Sequence, residues 1–189
     1  MIPNWIAMYP NVASVVGTTA SFNVQIDIDG VAYFVVLPNN AVAPSSAQVK
    51  AGTDSNDAPL AAGFFGSVVL TGNTPDVLNA SNLVSETDYD VYVVAEDTTP
   101  DLQAAPTLLE ITTTDITAPV WEATYPKSGV VAGTTAEILV QTTEDSTAYF
   151  VAVASGDPAP SSAQVKAGTD STDTPVAVGF LGSVALAAN

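Results

Sequence analysis

Carboxylates are the only potentially reactive side chains that this sequence supplies in number. It carries 20 Asp and Glu against three lysines, Lys50, Lys127 and Lys166, with no His, Cys or Arg, for a formal net charge of −17. Without His or Cys there is no imidazole or thiol to build a Ser–His or Cys–His nucleophilic pair. Without Cys there is no disulfide. No guanidinium is present to clamp a phosphate or carboxylate, and no glycine-rich stretch matches the phosphate-cradling patterns. Two carboxylates held at the right separation could still hydrolyse a glycoside. That possibility depends on which acids the fold keeps together.

Calcium is the other chemistry that carboxylates offer, since it takes hard oxygen ligands and could stiffen a domain junction. The candidates are Glu96, Asp97, Asp101 and Asp115, which fall near the end of a first domain. Their spacing fits no EF-hand loop, and a calcium site needs six or more converging oxygens. The alternative is a set of solvated turn and linker acids. The aromatic residues suggest a third possibility. Trp5, Tyr9, Tyr33, Phe34 and Phe64 could form a platform on which sugars stack, and an exposed apolar patch would be its sign.

All of these residues must be placed by the elements around them, and the sequence contains its own internal control. Residues 3–70 align without a gap with residues 119–186, at a constant offset of 116, with 39 identities in 68 positions. The run Ala43–Ser55 recurs unchanged as Ala159–Ser171. A period this long is a whole domain rather than a solenoid unit. Of the acids in the first copy, only Asp29, Asp54 and Asp57 recur as acids, at Asp145, Asp170 and Asp173. They sit in turn-like contexts, where Asp bonds local backbone, which weighs against a catalytic pair. The five aromatics recur as Trp121, Tyr125, Tyr149, Phe150 and Phe180. Repetition at equivalent positions favours a packing role over a ligand platform.

The pattern within the first copy is β. Ala20, Phe22, Val24, Ile26 and Ile28 alternate with polar residues, giving one apolar and one wet face. Tyr33–Leu37 is almost continuously apolar, as expected of a strand covered on both sides. Phe64–Leu70, Asn79–Leu83, Tyr89–Ala95 and Leu108–Thr113 read as further strands, separated by turn signals. About seven short strands at this spacing predict a sandwich. One short helix interrupts them: Ser45 is placed to cap it, Gln48 to complete a capping box and Gly52 to end it, with Ser161, Gln164 and Gly168 repeating the arrangement. Lys50 and Lys166 on these helices should lie along the sheet and meet carboxylates.

The motif Leu83-x-x-x-Thr87-x-Tyr89-x-Val91-x-Val93-x-Ala95 resembles the penultimate-strand signature of fibronectin type III domains. With the duplicated Ala-Gln-Val-Lys-Ala-Gly-Thr-Asp segment, the chain is similar to fibronectin-type-III-like repeats of large bacterial surface and secreted proteins. The likeness covers the first copy and the opening two-thirds of the second. It implies Ig-like all-β sandwiches in tandem, and gives Tyr89 the role of a tyrosine-corner residue whose hydroxyl meets nearby backbone. The early-strand tryptophan usual in animal fibronectin repeats is replaced by Phe22 and Val24, and no Arg-Gly-Asp is present.

The expected organisation is therefore a sandwich over 1–118 and a second copy over 119–189 that lacks its last strands, joined by a semi-rigid linker through Ile116, Thr117 and Pro119. The apolar faces of Val140, Tyr149, Val151, Phe180 and Val184 would then meet water unless further strands cover them. The resemblance implies an extracellular or cell-surface structural protein, a spacer, stalk or filament subunit, with no enzyme activity, no catalytic, metal or cofactor residues and no required cofactor. The second reading is a module binding carbohydrate or a host surface. Its partners would be further copies of the repeat, neighbouring chains or polysaccharide. The acidic charge disfavours nucleic acid, and no apolar run reaches the ~18 residues of a membrane span. Met1–Pro10 has neither the basic nor the apolar region of a signal peptide, so a secretion signal would lie outside this chain.

Overall fold

The computed structural model describes residues 1–188 and divides into two compact units, Met1–Ile116 and Thr117–Asn189. Asn189, the sequence counterpart of Asn73, lies outside the described residues.

The first unit is a β-sandwich of seven antiparallel strands: β1 (Asn11–Val16), β2 (Thr19–Val24), β3 (Gly30–Pro38), β4 (Phe65–Leu70), β5 (Asp76–Ala80), β6 (Asp88–Asp97) and β7 (Thr107–Thr112). One sheet has the order β1-β2-β5 and the other β4-β3-β6-β7. The alternation read in β2 sets the core. Ala20, Phe22 and Val24 point inward and meet Phe34, Val36, Val91 and Val93 of the opposite sheet, all buried. Phe22 and Phe34 lie with ring centroids 5.9 Å apart. The register places Phe22 opposite Leu78 and Phe34 opposite Val93, so each inward position has an apolar neighbour across the strand pair. Burying a Phe, Leu or Val side chain contributes about 1.5–3 kcal/mol, and this face supplies most of the first unit's apolar burial.

β3 is apolar on both faces because both are covered. Its other face, Val35 and Leu37, joins Tyr92 and Val94 of β6 in a second cluster closed by Val49. Val49 belongs to α1 (Ser46–Ala51), whose ends match their sequence signals. Ser45 Oγ accepts from the Gln48 N–H, Gln48 Oε1 accepts from the Ser45 N–H, and Gly52 ends the helix in the left-handed region. Tyr89 is buried in the main core, and its hydroxyl accepts from the Val84 N–H at 3.0 Å.

Two strands differ from the sequence reading. The strand expected at Asn79–Leu83 lies earlier, at Asp76–Ala80. Asn82 turns the backbone left-handed, and the Leu83 N–H leaves the ladder to donate to the Thr18 carbonyl. Leu83 is apolar because it plugs the core beside this turn, not because it extends the strand. β1 was not anticipated. Its residues are mostly exposed, so no inward pattern marks it. The β1–β2 turn is closed by the chain that follows β7: the Gly17 N–H donates to Thr114 Oγ1 at 2.8 Å. A Cβ on Gly17 would fall 2.3 Å from Ile116 Cγ2, so the turn needs glycine for space as well as for its φ of +43°.

The second unit contains β8 (Lys127–Ala132), β9 (Thr135–Leu139), β10 (Ser146–Val151), α2 (Ser162–Ala167) and β11 (Leu181–Leu186). β8, α2 and β11 lie 116 positions after β1, α1 and β4, and β10 begins 116 after β3. They form two two-stranded ribbons, β8-β9 and β10-β11. Among the described residues, β9 and β10 each pair on one side only.

Candidate functional site

The carboxylates that recur between the two copies accept from backbone N–H groups or from a glutamine side-chain amide of their own unit. Asp54 Oδ1 accepts from the N–H groups of Asn56 and Ala58, and Asp170 Oδ1 from those of Thr172 and Thr174. Those bonds hold Asp54 below the usual carboxylate range, the Ala58 N–H contributing most; for Asp170 the Thr172 hydroxyl leads. Asp57 and Asp173 sit at positive φ and accept from Gln48 and Gln164, tying each helix to its following turn. Asp29 and Asp145 accept from the N–H groups of Gly72 and Ala188. Each of these acids is thus engaged within its own unit, in the way turn aspartates are.

Of the four candidate calcium ligands, Asp97 and Asp101 come together and Glu96 points away from them. β6 runs on to Asp97, so Glu96 and Asp97 are consecutive strand residues and point to opposite faces. Glu96 follows Tyr92 and Val94 outward, where its carboxylate takes the Lys50 ammonium and the Tyr33 hydroxyl. Lys50 is held above its usual range, chiefly by that bond to Glu96. Asp97 turns the other way and joins Asp101. Its Oδ1 accepts from the N–H groups of Thr99 and Asp101, and its Oδ2 from the Thr99 hydroxyl and the Met1 amine. The Asp101 N–H first, then the Met1 amine, keeps Asp97 far below the usual carboxylate range. Asp115 lies beyond the end of β7. Among the described residues no group of three or more His, Cys, Asp or Glu is arranged to hold a metal.

The aromatics divide by unit. In the first, Phe34 is core, Phe64 packs edge-on against Tyr89 with centroids 6.1 Å apart, and Trp5 packs against the same core. Tyr33, one residue from Phe34, faces the second cluster and Lys50 instead. Trp5, Phe34 and Phe64 thus turn into the main core, Tyr33 turns to the other face and Tyr9 is half-buried, so the five form no single platform. In the second unit the equivalents are open: Phe34 is 1% exposed and Phe150 37%. Trp121, Tyr149 and Phe180 are exposed as well. Trp121, Ile138, Val140, Ala148, Phe150 and Val184 line an apolar groove of about 560 Å³ between the two ribbons. Above the outer face, the Lys166 ammonium lies 5.9 Å from the Tyr149 ring, the same distance as Lys50 from Tyr33. Lys50 has Glu96; among the described residues no ion pair reaches Lys166. The sequence reading expects Val140, Tyr149, Val151, Phe180 and Val184 to meet water; Tyr149, Phe180 and Val184 are exposed, whereas Val140 and Val151 are half-buried. That reading did not anticipate the unpaired ammonium beside them, although the signal was present, since Glu96 follows the segment that the second copy matches.

No family model matches this chain, and no curated protein matches it. A solved structure described as a computer-based redesign of a β-sandwich protein is similar at 20% identity and a TM-score of 0.35, over 61% of this chain and 96% of that one. The fold is all-β, of the β-sandwich type. Among the described residues no helix is long and apolar enough to cross a membrane.

Proposed function

We propose that this chain is a non-enzymatic structural repeat of an extracellular or cell-surface protein, serving as spacer, stalk or filament subunit. The observation that carries this reading is the fate of the duplicated residues. Identities between the copies fall on strand faces, helix caps and turn aspartates, which build a fold, and the repeated acids bond backbone N–H groups or a glutamine amide of their own unit. The resemblance to fibronectin type III-like repeats is supported by the three-plus-four strand order and by the Tyr89 hydroxyl on Val84. A bacterial surface protein or adhesin is the setting that this resemblance implies. Dense acid and few cations suit a soluble, self-repelling exterior rather than a nucleic-acid partner.

Extending single molecules of the chain between its ends tests this reading. The first unit, Met1–Ile116, should open in one discrete step that releases about 380–420 Å of extended chain, at ~3.3–3.6 Å per residue. Gradual extension without a step would count against a spacer. The second reading, carbohydrate binding, draws on exposed Trp121, Tyr149 and Phe180. Saturable polysaccharide binding abolished by Trp121→Ala would replace the first reading with it. Against it, Trp121 and Phe150 are the counterparts of Trp5 and Phe34, which pack in the core of the first unit.

A further inference from the structure

We propose that the open groove and the free β10 edge of the second unit are a docking site for a polypeptide segment patterned like β5–β7, entering from the C-terminal side of β11. The first unit supplies the template. There the edge of β3 is taken by β6, with Ala32 opposite Ala95, Phe34 opposite Val93 and Val36 opposite Val91. The edge of β2 is taken by β5, with Ala20 opposite Ala80 and Phe22 opposite Leu78. The second unit has Ala148, Phe150 and Ala152, and Ala136 and Ile138, at the receiving positions, and among the described residues both edges are unpaired. Phe150 and Ile138 are exposed where Phe34 and Phe22 are buried. An apolar strand edge with free N–H and C=O groups takes an added strand through backbone hydrogen bonds, and alternate side chains read the occupant's sequence.

Charge fixes the register independently. Lys166 is held over Tyr149 as Lys50 is over Tyr33, but among the described residues it has no carboxylate partner. In the first unit that partner is Glu96, which stands opposite Val31. The occupant therefore carries an acid opposite Thr147, the counterpart of Val31, followed outward from Lys166 by small and β-branched inward residues. A sugar would satisfy neither the strand edge nor this ammonium at that register. A second copy of the present chain is a poorer occupant, because its own β5–β7 already close its first unit. The assignment holds whether the repeats serve as a spacer or as a binding module.

The test appends a copy of residues 74–113 after Asn189 and compares backbone hydrogen exchange with the unmodified chain, using β3 as the internal reference. In the unmodified chain, Ser146–Val151 should exchange at least about tenfold faster than Gly30–Val35; in the extended chain the two should become alike, with the molecule still monomeric. Lys166→Gln, or Glu96→Gln in the appended copy, should weaken protection at the Thr147 end, and Lys166→Arg should retain it. Two outcomes overturn the proposal. In one, β10 stays unprotected in the extended chain while β3 keeps its protection. In the other, the unmodified chain already protects β10 by forming a dimer, which makes a second copy the occupant.

Discussion

Two regions of one molecule share 39 of 68 aligned residues and reach different states of burial. The capping box of α1 recurs in α2 atom for atom, as do the left-handed Gly52 and Gly168 and the turn bonds of Asp54 and Asp170. What does not recur is the core. Val49 is buried under the first unit's sheet, whereas α2 buries no residue. A Cβ on Gly63 would meet Ser81, just beyond β5, and one on Gly179 would meet nothing. Local signals thus act within a few residues and need no partner. Burial instead depends on strands elsewhere in the unit, β5 to β7 above all.

The largest effect that would break this comparison is on the central phenylalanines. Phe34→Ala should cost the first unit about 3–5 kcal/mol, the range for truncating a buried Phe. Phe150→Ala should cost the second about 1 kcal/mol or less, since an exposed side chain leaves little cavity. Urea titration followed by fluorescence can separate the units, with Trp5 reporting one and Trp121 the other after Trp→Phe replacement of its counterpart. Equal losses would mean that the second groove is already closed in solution.

Caps should behave oppositely. Ser45→Ala and Ser161→Ala remove the same bond from the same local frame, so both should cost about 0.5–2 kcal/mol in the unit concerned. A loss confined to Ser45 would show that α2 depends on cover that the cap cannot replace. Tyr89→Phe removes only the bond to Val84 and should cost the first unit about 0.5–1.5 kcal/mol, with unfolding still cooperative.

The smallest effect is acid-dependent and confined to the first unit. Asp97 is held far below its ordinary range when folded, so the folded state binds its proton later than the unfolded state as pH falls. Its contribution is full above the unfolded value of about 4 and is lost as pH falls below that. Asp97→Asn should lower stability at neutral pH and flatten this acid limb, as thermal melts between about pH 2 and 6 would show. An unchanged acid limb would assign it to other carboxylates.

Legibility followed the same division. The helix ends, β3, β4, β6 and β7 were readable because caps, apolar runs and period-two alternation are written in consecutive residues. β1 was not, because an edge strand with mostly exposed side chains carries little pattern. Leu83 drew the fifth strand too far along, since an apolar residue can plug a core from a turn. The calcium candidates were grouped by nearness in sequence. Extending the strand to Asp97 puts Glu96 and Asp97 on opposite faces, a separation that parity alone decides once the strand's end is known. Tyr33 and Phe34 part for the same reason.

The clasp of Lys50 by Glu96 also bears on proteolysis. A protease that cuts after lysine finds only three sites in this chain, because there is no arginine. Lys50 is the one in the first unit, on a helix fastened to the sheet at both Val49 and Glu96. Lys127 opens an edge ribbon, and Lys166 rides on a helix that buries nothing. Cleavage needs an extended, unfastened backbone, so digestion should spare Lys50 longest and trim the molecule back to Met1–Lys127. A stretch of polypeptide seated along β10 would guard Lys166 in the same way, and a gel would record the difference.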